Sequence, residues 1–107
     1  MDLRARCAAL GGAAARSVCR ISRFSRSIFE IHEESAGVAA EAARTLGVPL
    51  GRINVNGGAP ACGHLPGMSG ARMVLTPAYE LRRRGGGTGA VAVRADDGQC
   101  EGLLINA

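Results

Sequence analysis

The residues of this chain best suited to chemistry are its two histidines, and one of them stands in unusual company. His64 lies within residues 53–72, I-N-V-N-G-G-A-P-A-C-G-H-L-P-G-M-S-G-A-R, with two asparagines, five glycines and two prolines around that single imidazole. Glycines gather where backbone turns sharply or runs close to another group, and asparagine amides brace such turns. An imidazole held in a rigid loop ahead of a helix can exchange a proton near neutral pH. The same composition also describes a turn-rich loop with an incidental surface histidine, and composition does not separate the two. His32 is the second imidazole, at the head of His32-Glu33-Glu34-Ser35. The cysteines, Cys7, Cys19, Cys62 and Cys100, contain no CxxC pair, which argues against a zinc finger or a thioredoxin-like motif. Cys62-Gly63-His64 could donate two metal ligands, but no further acids or histidine cluster beside them, so no metal site is expected.

The elements that must position these groups can be read in order. Residues 28–31, I-F-E-I, form a short buried strand. His32 to Ser35 then open an alanine-rich helix to about Leu46, with Glu33 and Glu34 in its first turn, where the helix dipole favours negative charge. Val38, Ala39, Ala42, Ala43 and Leu46 make a flat small-residue face suited to another helix, and Gly47 with Pro49 beyond it stops the helix. Residues 52–56 alternate as a second strand leading into the central loop. A second helix starts near Ser69, its N-cap, and runs to about Arg84, with Met73, Val74, Ala78 and Leu81 on one side. Pro77 falls inside that helix, where it costs about 3 kcal/mol and nothing in the sequence compensates. After Gly85-Gly86-Gly87, residues 88–93 read as a strand, Asp96-Asp97-Gly98 as a turn and residues 101–105 as a returning strand. The fold class is α/β, a mixed sheet of about four short strands with two main helices.

Composition bounds the rest. The 107 residues allow one small domain, and with 3% aromatics its core must come from Ala, Val, Leu and Ile. All 13 basic residues are arginine. Six of them fall in residues 1–27 against one acid, Asp2, whereas residues 28–107 carry seven arginines against eight acids. A nucleic-acid footprint is therefore unlooked for outside the basic arm. Three readings compete for residues 1–27: a transit-type leader, a phosphate-binding arm, or non-native sequence with the Arg/Ala/Gly/Cys bias of a GC-rich gene read out of frame. The third accounts for that bias best. No apolar run is long enough to span a bilayer, and without a secretory signal a cytoplasmic protein with free thiols is expected.

With these elements in order, the chain resembles the C-terminal portion of a thiolase (acetyl-CoA acetyltransferase or 3-ketoacyl-CoA thiolase) over about residues 29–106, without gaps. The central stretch is similar to the family's N-x-N-G-G-A-I-A-x-G-H-P-x-G-x-S-G-x-R. Phe29-Glu30-Ile31-His32-Glu33 looks like its F-E-x-[NH]-E-A segment, and Glu80-Leu81-Arg82-Arg83-Arg84-Gly85 adds support. Residues 1–27 match nothing in it, which divides the chain into that leader and a thiolase C-terminal-like domain at 28–107. The resemblance implies the C-terminal half of a thiolase-like fold and an acyl-transfer reaction on 3-ketoacyl-CoA, by thiolysis or Claisen condensation. It makes a coenzyme A thioester the substrate, with no tightly bound cofactor. His64 would then lower the nucleophile's pKa and line an oxyanion hole. His32 would orient a water in the other oxyanion hole, while Asn56, Gly57, Gly58, Gly63 and Ser69 shape the loop around the substrate.

The departures matter as much. The family's N-terminal half, with its nucleophilic cysteine, is not among these residues. The family's final C-x-G-G-G aligns with Arg94-Ala95-Asp96-Asp97-Gly98, so arginine, which does not deprotonate near neutral pH, replaces the acid/base cysteine. Cys100, six residues on, is a weak substitute. Pro60 and the Leu65-Pro66 order depart within the loop and are expected to distort it. The favoured reading is a truncated, degenerate thiolase C-terminal domain, inactive alone. The alternatives are a subunit that completes a site with a separate N-terminal half, and a non-catalytic interaction module. Deprived of the half it would pack against, the domain should expose an apolar helix face and self-associate.

Overall fold

The apolar run at residues 28–31 forms strand β1 (Ile28–Ile31) of the computed structural model, which describes residues 27–94 and 100–107. There follow helix α1 (Ala36–Leu46), a 3-10 turn (Leu50–Arg52), a short helix α2 (Ala59–Cys62), helix α3 (Pro66–Arg83), and strands β2 (Thr88–Arg94) and β3 (Cys100–Asn106). The leader, Ser27 excepted, and the expected Asp96-Asp97-Gly98 turn lie outside the described residues.

The sheet is mixed, in the order β1-β2-β3. β1 runs parallel to β2, with Ile28 opposite Gly89 and Ile31 opposite Ala92. β2 runs antiparallel to β3, from Thr88 opposite Asn106 to Arg94 opposite Cys100. Alternation along β1 divides its side chains between two helices. Phe29 and Ile31, with Ala90, join a core of Ala39, Ala42, Ala43 and Leu46 from α1, closed by Val48 and Ile53. Burying Phe29 contributes roughly 1.5–3 kcal/mol to that core. The small-residue face of α1 therefore packs on the sheet rather than on a helix, and Val38 is left exposed. On the other face, α3 presents Met73, Pro77 and Leu81 to β1 and β2. A side chain at Gly89 would meet Leu81 and Pro77, so the missing Cβ lets α3 lie close. That close fit gives the buried Pro77 a packing role to set against its lost hydrogen bond.

Three expectations need correction. The sheet has three strands, because residues 52–56 form only a single parallel bridge, Ile53 to Phe29, after the 3-10 turn. The edge of β1 is completed instead by one residue. The Asn54 N–H bonds the Phe29 carbonyl at 2.8 Å, its Oδ1 accepts the Ile31 N–H at 2.7 Å, and its Nδ2 donates to the Ile31 carbonyl at 3.0 Å. Asn54 adopts φ +47° to do so. Second, α1 begins at Ala36, not at His32. The His32 N–H extends the β1–β2 ladder by bonding Ala92 O at 2.9 Å, and Glu33 is drawn inside. The Gly47 stop is as expected, with φ +67°. Third, α3 starts three residues before Ser69, with Leu65 as its N-cap and Pro66 at its first position. Pro60 likewise stands in the first turn of α2. An absent N–H is harmless in a first turn, so both prolines stand where a helix tolerates them.

Candidate active site

Residues 53–72 fold as a turn, a one-turn helix and the start of α3, so that the loop doubles back over the end of β1. Gly57 and Gly63 take φ +86° and +84°, which a side chain would resist. At Gly58 the reason is space: a Cβ there would overlap the Glu33 carboxylate and crowd Asn54 Nδ2. Buried Glu33 thus marks where the loop lies against the residues following β1.

This fold brings the two histidines together. Their ring centroids are 4.8 Å apart, with planes tilted by 42°. Both line a cleft of about 320 Å³ whose walls also include Glu33, Glu34, Ala59 and Pro60. His64 is exposed, and its Nδ1 lies 2.8 Å from Ser69 Oγ, which also accepts the Leu65 N–H at 3.2 Å. Ser69 is therefore no N-cap but the contact that holds the His64 ring. His32 Nε2 is buried and has no hydrogen-bond partner among the described residues.

The remaining expected residues have more distant places. Asn56 reaches out of the loop to Glu80 Oε2 at 3.5 Å. The Arg83 and Arg84 guanidiniums hold the Glu80 carboxyl down at about 2. Cys62 is exposed, and its thiol donates to the Gly58 carbonyl at 2.9 Å. Cys100 opens β3 as the register partner of Arg94, two residues past the Ala92 that bonds His32. Among the described residues no group of three or more His, Cys, Asp or Glu could hold a metal ion. No helix there is long and apolar enough to cross a membrane.

One pair between β1 and α3 was not foreseen. Glu30 is 2% exposed and lies 3.3 Å from Arg72 Nη1, tying β1 to α3. Burial pushes the Glu30 carboxyl up to about 7, against the pull of Arg72 and with a smaller push from Glu33. A glutamate inside the apolar run I-F-E-I was a usable signal, since a buried carboxylate needs a partner.

Known proteins resemble this chain in sequence and in fold. The family described as "Thiolase, C-terminal domain" matches residues 19–107, so the match begins inside the segment expected to match nothing in the family. The chain is 49% identical over 80 residues to a probable acetyl-CoA acetyltransferase of Mycobacterium leprae (strain TN), covering 75% of this chain and 20% of that protein. It is 42% identical over 66 residues to the cytosolic acetyl-CoA acetyltransferase of Rattus norvegicus, covering 62% and 17%. The crystal structure of the Bacillus anthracis acetyl-CoA acetyltransferase superposes with a TM-score of 0.74 at 26% identity, covering 99% of this chain and 27% of that one. The chain spans about a fifth of the length of the curated relatives it matches.

Proposed function

The chain belongs to the thiolase family through its C-terminal domain, and from that premise we propose that it supplies the histidine side of an acyl-transfer site for a coenzyme A thioester. The observation that carries this reading is the approach of His32 and His64 at one cleft. Imidazole N–H groups placed there can hydrogen bond a thioester carbonyl oxygen as charge develops on it. One such donor is typically worth about 10²–10³ in rate. Relatives named acetyl-CoA acetyltransferases favour a short acyl-CoA substrate.

Taken as these 107 residues, the chain does not turn over in this reading. The resemblance sets Arg94 at the acid/base position, and a guanidinium does not give up its proton near neutral pH. Thiolysis of acetoacetyl-CoA by the purified chain should stay at background. Mixed with the N-terminal half of a bacterial relative, the Arg94→Cys chain should turn over and the parent chain should not. Turnover by the parent chain alone that disappears in His64→Ala contradicts the inactive reading. Failure of both chains, with the two halves bound to each other, contradicts the histidine-side reading.

The exposed apolar residues favour a partner. Met68, Leu75 and Tyr79 lie along the α3 stripe opposite its buried side, with Leu65 just before them. A thiolase N-terminal half, or a second copy of this chain, would cover that stripe.

A further inference from the structure

Ser69 is a buried hydroxyl with two partners, and their chemistry restricts where its hydrogen can go. A hydroxyl has one hydrogen and two lone pairs. The Leu65 N–H takes one lone pair. The Leu65 carbonyl, the usual acceptor for a helical serine, already receives the Met68 and Ser69 backbone N–H groups. The acceptor that remains is His64 Nδ1, at 2.8 Å. The reverse arrangement, with Nδ1–H donating to Oγ, would leave a buried O–H with nothing to bond, which folded proteins avoid.

We infer that Ser69 is a positioning residue that holds neutral His64 as its Nε2–H tautomer, so that the ring offers the cleft a donor rather than a base. The inference rests on the reading that His64 meets a thioester oxygen: a ring N–H stabilises a developing oxyanion, and a ring lone pair does not. The placement is economical. Leu65 is the N-cap of α3 and Ser69 lies four residues on, so the helix start fixes the hydroxyl and the hydroxyl fixes the ring.

Long-range 1H–15N correlation of the imidazoles in the uniformly labelled chain tests this without any turnover, near pH 8.5 or about two units above an ordinary imidazole titration. The wild type should show a pyrrole-type Nε2 and a pyridine-type Nδ1 at His64. Ser69→Ala should shift both toward intermediate values as the tautomers mix, and Ser69→Thr should keep the wild-type pattern. A pyrrole-type Nδ1 in the wild type overturns the inference, as does an unchanged pattern in folded Ser69→Ala. Where the alanine variant loses its dispersed amide spectrum, Ser69→Cys, whose thiol donates weakly, decides by the same two outcomes. Failure here would leave the two-histidine cleft standing, whereas the half-mixing assay tests that cleft by turnover and does not report which ring nitrogen carries the hydrogen.

Discussion

Gly58 and Asn54 show how much of this site depends on single atoms. A methyl at Gly58 would press into the Glu33 carboxylate. Gly58→Ala should therefore lose about 1–3 kcal/mol in urea denaturation, the usual cost of overpacking. Wild-type stability in that variant would mean that Glu33 does not lie against the loop. Asn54 makes two side-chain bonds to Ile31 at a positive φ. Removing both at roughly 0.5–1.5 kcal/mol each, with roughly 1–2 kcal/mol for a left-handed alanine, predicts a loss of about 2–5 kcal/mol in Asn54→Ala. A loss under ~1 kcal/mol would contradict the edge-bracing role. The glycines and asparagines marked this loop as special before any coordinates did. Their individual roles were hidden, because their partners are groups more than twenty residues away, and the backbone of Ile31 carries no signature in sequence.

At the scale of elements, two glutamates give α3 and β1 opposite responses to pH. Glu30, raised to about 7, keeps a proton that the unfolded chain has released between about pH 4.5 and 7. Stability is greatest below that window and falls as pH rises through it, by on the order of 3 kcal/mol. Glu80, lowered to about 2, stabilises the C-terminal end of α3 above pH 4.5, and that contribution is lost as pH falls toward 2. Chemical denaturation across pH should show both slopes. Glu30→Gln should flatten the upper window alone and Glu80→Gln the lower one alone, and an upper slope unchanged in Glu30→Gln would contradict the buried pair. Helix α1 and strands β1 and β2 were legible from apolar spacing and the Gly47 stop. The strand expected at residues 52–56 was not real, since a five-residue alternation is equally consistent with a turn making one bridge. The start of α1 was misplaced because the burial of Glu33 against the loop outweighs its preference for a first helical turn.

The described residues form a three-stranded mixed sheet between α1 and α3, with one histidine at the end of β1 and the other in the loop that folds over it. The family was legible from the central loop. The resemblance also put both histidines at one site, but the contacts of Asn54, Glu33 and Ser69 that frame them were not legible. The apolar stripe on α3 predicts concentration-dependent association in sedimentation velocity, weakened by Leu75→Glu with Tyr79→Glu. A monodisperse monomer at high concentration would contradict an unfilled partner surface. The two imidazoles meet at one cleft, and through-space NMR on the chain reads that approach most directly. Ring-proton cross-peaks between His32 and His64 are predicted, absent in His64→Ala. Two histidines that each show only neighbours from their own segment would contradict it.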